Sequence, residues 1–99
     1  MLKEDIIDLI KNIDCVIDKI QDFLNSEYSH GLRYSHYLAN EVDNDVYEIN
    51  LKVAKLNPRL EWAEPTHELN MLRDKLAYRY DLLYEMIDKL DSAVRNSNL

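Results

Sequence analysis

The residues best suited to chemistry lie in the stretch SHGLRYSHYL, residues 29–38, which holds the only glycine of the chain and two of its three histidines. Arginine, aromatic rings and the free N–H groups of a helix start are what a nucleotide or another small anion would use. A plain alternative is that the glycine makes a turn, the tyrosines close the end of a core and the histidines lie on the surface. The candidate ligand-binding residues are His30, Arg33, Tyr34, His36 and Tyr37.

Two Glu-x-x-His pairs raise the question of a metal site, because such pairs bind two irons in four-helix carboxylate proteins. They are Glu27 with His30 and Glu64 with His67. The helical pattern described below puts one pair at the end of the first helix and the other at the start of the third. These positions are at opposite ends of a bundle, so we expect neither a metal site nor a cofactor.

The sequence lacks the usual catalytic motifs. It has no glycine-rich phosphate loop, no Cys-x-x-Cys or His-Glu-x-x-His motif and no serine in a nucleophile elbow. Its single cysteine, Cys15, excludes an intrachain disulfide and fits a reducing setting. We therefore expect a non-enzymatic protein of the cytoplasm.

The charge balance narrows the classes of partner. Nineteen acidic residues against 12 basic ones give a net charge of −7, and a phosphate backbone repels such a surface. We expect no direct nucleic-acid binding. No stretch approaches the length of apolar sequence that a membrane span needs, so we expect no membrane association either. A protein partner with a basic surface is complementary to this charge.

Apolar residues recur at helical spacing in three segments, which predicts three amphipathic helices at about 2–26, 34–57 and 65–95 within one domain, 1–99. Asn57-Pro58 is expected to end the second helix, and Pro65 suits the first turn of the third. The predicted core stripes are Ile6, Leu9, Ile10, Ile13, Val16, Ile17, Ile20, Phe23 and Leu24; Leu38, Ala39, Val42, Val46, Ile49, Val53 and Leu56; and Leu69, Leu72, Leu76, Tyr80, Leu83, Met86, Ile87, Leu90 and Val94.

Short connections make sequential helices antiparallel neighbours, so the expected fold is an all-α, up-down-up three-helix bundle of long helices. The alternative is an extended helical hairpin that completes its core by dimerising, as in a coiled coil.

Several residues do not fit these stripes, and they suggest a function. Apolar residues off the core favour a protein interface, and acidic rows could steer a basic partner to it. We expect an inhibitor or adaptor that binds another protein, of the kind that bacteria and their phages encode, and that forms a homodimer. The alternative is binding of a small anion at Arg33 and Tyr37. The predicted partner-binding residues are Glu41, Asp45, Glu48, Tyr47, Leu51, Tyr78 and Tyr84.

Overall fold

The computed structural model describes residues 2–25 and 32–97, with side chains described for 2–25 and 36–95. Within these ranges the chain forms three helices and no strand: α1 (Leu2–Asn25), α2 (Leu32–Trp62) and α3 (His67–Ser97). α1 packs against both α2 and α3. The predicted all-α three-helix bundle is confirmed.

Ion pairs between the helices show how they are directed. Lys3 of α1 contacts Glu68 of α3 at 2.7 Å, so α1 and α3 begin at the same end of the bundle. Arg59, near the end of α2, pairs with Asp5 near the start of α1, so α2 runs the opposite way. The hydrogen bond from Arg59 also lowers the pKa of Asp5. The resulting up-down-up bundle measures 51 × 21 × 17 Å.

One core runs the length of the bundle and draws on all three helices. Each predicted stripe faces this core, and its members are either buried or partly buried against it. A hairpin that needs a second chain to complete its core is therefore not the observed arrangement. The buried residues are Ile6, Leu9, Ile10, Ile13, Val16, Ile17, Ile20, Leu38, Val42, Ile49, Leu56, Leu60, Leu69, Leu76, Leu83, Met86, Leu90 and Val94.

The predicted end of α2 at Asn57 is wrong, because the helix continues through Pro58 to Trp62. Proline inside a helix costs about 3 kcal/mol, since it removes one backbone hydrogen bond and crowds the preceding turn. Burial of Leu60 against the core offsets much of this, at about 2–3 kcal/mol for a leucine side chain. The carbonyl that loses its donor belongs to Ala54, an exposed residue where water can replace that donor.

The connection between α2 and α3 is correspondingly shorter than the predicted helix ends at about 57 and 65 imply. It covers residues 63–66, and Thr66 caps α3, with its Oγ1 accepting a hydrogen bond from the backbone N–H of Leu69 at 3.1 Å. Pro65 precedes this cap and does not lie in the first helical turn. The turn therefore places the end of α2 directly beside the start of α3.

Candidate functional site

The predicted ligand-binding site at residues 29–38 is only partly described by the structure. His30 lies outside the described residues, and so do the side chains of Arg33 and Tyr34. His36 is exposed, and Tyr37 is 64% exposed. For Tyr37, the idea that the tyrosines close the core is wrong, since the adjacent Leu38 is buried there instead. None of the four grooves described below is lined by His36 or Tyr37.

Only one of the two Glu-x-x-His pairs lies within the described residues. Glu27 and His30 lie outside it, while Glu64 and His67 are exposed in and just after the α2–α3 connection. In the part of the chain that is described, no group of three histidine, cysteine or carboxylate side chains could hold a metal ion.

Two of the three acidic residues predicted to bind a partner are engaged inside the bundle. Lys19 of α1 reaches between Glu41 and Asp45 of α2, with Nζ–O distances of 2.8 and 2.9 Å. The hydrogen bond to Glu41, followed by that to Asp45, raises the pKa of Lys19. These ion pairs therefore join α2 to α1, and the lysine compensates part of the negative charge of the two acids.

Tyr84 has an internal partner as well. Its hydroxyl accepts a hydrogen bond from Asn50 Nδ2 at 3.1 Å, and the hydroxyl of Tyr80 donates to Asn50 Oδ1. The two tyrosine rings are 5.0 Å apart between centroids and are tilted against each other. Burial, reinforced by the hydrogen bond to Tyr84, raises the pKa of Tyr80 to about 12. This cluster holds the middle of α2 against α3.

Tyr78 is exposed, but it lies on a different side of α3 from Tyr84. The guanidinium carbon of Arg79 is 6.0 Å from the centroid of the Tyr78 ring. Arg79 also pairs with Asp14 of α1, at 3.4 Å. Six residues separate Tyr78 from Tyr84, which at 100° per residue places their side chains about 120° apart around α3. Tyr84 contacts α2, so the predicted tyrosines do not form one surface.

Two of the predicted apolar residues remain free on the outer face of α2. We use this name for the exposed residues that point away from the core stripe: Asn40, Asp43, Asn44, Tyr47, Leu51 and Ala54. Tyr47 is 63% exposed and Leu51, one helical turn further on, is 40% exposed. Glu48, also exposed, borders the groove between α1 and α2 and not this face.

The concave features found among the described residues are open grooves between helices. Two of about 280 and 330 Å³ follow the α1–α2 seam, and one of about 300 Å³ follows the α2–α3 seam. Cys15 is exposed in the α1–α2 seam, beside Lys19 and Lys52. A fourth groove, of about 450 Å³, lies at the end of the bundle where α2 turns into α3.

Among the described residues, the most exposed large apolar side chain lies at the turn end, between the predicted second and third helices and outside the predicted partner-binding set. Trp62 ends α2 and is 86% exposed, and Met71 in the first turns of α3 is 60% exposed. The sequence does indicate a candidate binding surface here, because both residues are large and apolar, flank the turn and belong to neither core stripe.

None of the described helices has an apolar stretch long enough to cross a membrane. In comparisons with known proteins, no family model matches the chain, no curated protein matches it, and no solved structure matches it.

Proposed function

We propose that this chain is a non-catalytic protein that binds another protein, as an inhibitor or adaptor, through the outer face of α2. One observation carries the proposal: Tyr47 and Leu51 are exposed side by side on a helix whose opposite face already supplies the core. Neither side chain belongs to the core of the bundle. Tyrosine and leucine on a partner-facing surface gain burial when a second protein covers them.

The charge around this face favours a basic partner. Asp43 stands one turn before Tyr47, is exposed and has no ion pair within the described structure. The whole chain carries a charge of −7, which would accelerate the approach of a positively charged protein. Glu41 and Asp45 contribute less to this field than their positions in the sequence suggested, because Lys19 lies between them.

Two other expectations stay predictions. Anion binding at the Arg33 corner involves side chains that the structure does not describe. Homodimerisation and a cytoplasmic location are proposed on the sequence argument given above. Sedimentation equilibrium tests the dimer, and a monomeric mass at high micromolar concentration would contradict it.

The test of the protein-binding proposal is partner capture by purified protein in extracts of its native cells, followed by affinity measurement with the captured protein. The double variant Tyr47→Ala/Leu51→Ala should bind that protein at least about tenfold more weakly, a change equivalent to about 1.4 kcal/mol. Tyr78→Ala is the matched control, because it removes an equally exposed tyrosine from another side of the bundle. Equal loss in the control, or undiminished affinity in the double variant, would contradict the proposal.

A further inference from the structure

We infer that the turn end of the bundle anchors the partner, by taking a large apolar side chain of a cationic amphipathic segment into the groove beside Trp62. The inference rests on the proposed function and specifies the chemistry of the partner. It uses residues that are distinct from Tyr47 and Leu51.

Trp62 continues the outer face of α2. Eleven residues separate it from Leu51, which at 100° per residue turns the helix through three full circles and about 20° more. Pro58, also exposed, lies between them on the same side. A segment that follows α2 from Tyr47 would therefore reach Trp62 after about 22 Å, at 1.5 Å per residue. Trp62 is 86% exposed, so a segment that covers it removes a large apolar area from water. Tryptophan is also enriched among residues that dominate binding energy.

The groove next to Trp62 has an apolar base. Leu69 is buried at its floor, and the partly buried Leu2 and Ala63 line it. Its volume of about 450 Å³ falls in the range of ordinary ligand-binding pockets, about 300–1,000 Å³. Ala63, which lines the groove, directly follows Trp62 in the chain, so the groove begins one residue away from the tryptophan.

The charge at this end selects a cationic segment. Glu4 and Glu64 line the groove, and Glu61 precedes Trp62. The structure shows no ion-pair partner for these three carboxylates among the described residues.

Lys3 also lines the groove, but its ammonium group pairs with Glu68, and the nearby Arg59 pairs with Asp5. A second copy of the chain that docked by this same end would bring the same uncompensated carboxylates to it. A lysine- or arginine-bearing segment of another protein is complementary to it.

The sequence contains one tryptophan, so the fluorescence of Trp62 reports on this end directly. The probe is a short amphipathic helical peptide of leucine and lysine, with a leucine–glutamate peptide of the same length as control. We expect a saturable blue shift of Trp62 emission with the lysine peptide and none with the glutamate peptide. The triple variant Glu4→Gln/Glu61→Gln/Glu64→Gln should weaken binding about tenfold.

The matched variant is Asp22→Asn/Asp88→Asn/Asp91→Asn, which removes three exposed carboxylates at the opposite end and so changes the net charge equally. It should bind the lysine peptide nearly as well as the unmodified protein. Equal weakening in both triple variants would overturn the inference, because net charge alone would then explain binding. A shift of Trp62 emission with protein concentration alone would also overturn it, since a second copy would then cover this end.

A second reporter separates failure of this inference from failure of the proposed function. In Trp62→Phe/Leu51→Trp the fluorophore moves to the middle of the outer face of α2. A response at position 51 with none at Trp62 overturns the turn-end anchor and leaves the proposed function standing. No change in emission at either position also overturns the turn-end anchor. Partner capture by the Tyr47 and Leu51 variants then tests the proposed function independently.

Discussion

The two sides of α2 carry similar residues with different consequences. On the side facing α1, Glu41 and Asp45 are held by Lys19, and Ile49 is buried in the core. On the outer face, Asp43 and Leu51 repeat those residue types, but both are exposed and belong to neither an ion pair nor the core of the described chain. An acidic or aliphatic residue on a helix therefore indicates a partner-binding surface only when the fold has left it without an internal contact.

The largest expected difference is between Ile49→Ala and Leu51→Ala, two aliphatic truncations separated by two residues. Ile49 is 2% exposed, so its truncation leaves a cavity and should lower the free energy of unfolding by about 2–4 kcal/mol. Leu51→Ala should change it by less than about 0.5 kcal/mol, as is usual for surface positions. Urea unfolding monitored by circular dichroism measures both. Similar losses in the two variants would show that the outer face is covered in the folded protein.

A substitution on the side of α2 that faces α3 should have the next largest effect on the free energy of unfolding. Asn50→Ala removes the partner of the Tyr80 hydroxyl and one link to Tyr84, and should cost about 1–2 kcal/mol. Asn44→Ala, an exposed asparagine on the outer face, is the matched control and should be nearly neutral. If both substitutions prove neutral in urea unfolding, the hydrogen-bonded cluster does not contribute to joining α2 and α3.

The same cluster predicts a stability loss in alkaline solution. Tyr80 keeps its proton in the folded protein up to a pKa of about 12, whereas an unfolded tyrosine loses it near 10.0. Between these pH values the folded state binds a proton that the unfolded state has released, so stability falls as pH rises. Tyr80→Phe should flatten this part of the pH–stability curve. Lys19, whose pKa is also raised, contributes in the same direction, so a Tyr80→Phe curve as steep as the original would contradict the assignment to Tyr80.

A smaller effect is expected at the contact between α1 and α2. Lys19→Met keeps most of the side-chain volume but removes the charge between Glu41 and Asp45, and should cost about 0.5–1 kcal/mol for a partly exposed ion pair. The raised pKa of Lys19 means that its contribution is present below about pH 10 and disappears as pH rises through the folded pKa. Lys52→Met, at the exposed edge of the same seam, should be neutral in the same unfolding assay.

The smallest expected effect on stability is that of Asp43→Asn, on the outer face. Asp43 has no described ion pair, so the free energy of unfolding should stay within about 0.5 kcal/mol of the original value. Partner association should nevertheless slow, because a negative charge beside Tyr47 is lost. Stopped-flow association at low and high salt measures this. An unchanged association rate at low salt would show that Asp43 does not steer the partner.

The three helices and their core stripes could be predicted because helical periodicity is a local property, and each stripe faces the core. The end of α2 could not be predicted, since Pro58 is a strong local signal for a helix end. The burial of Leu60, which depends on contacts with distant parts of the chain, offsets much of its cost. Which of the predicted partner-binding residues contact another helix also depends on how the three helices are aligned along one another. Only the packed bundle shows that Lys19 stands opposite Glu41 and that Tyr84 contacts Asn50.

Site-specific photo-crosslinking tests the central claim most directly. A benzophenone amino acid replaces Leu51 on the outer face of α2 in one protein and the exposed Asp88 of α3 in another. Both are irradiated in the native cells. A discrete adduct with another protein is expected from position 51 and not from position 88. The claim that the outer face of α2 binds a protein is contradicted if position 51 gives no adduct, or if both positions give the same one.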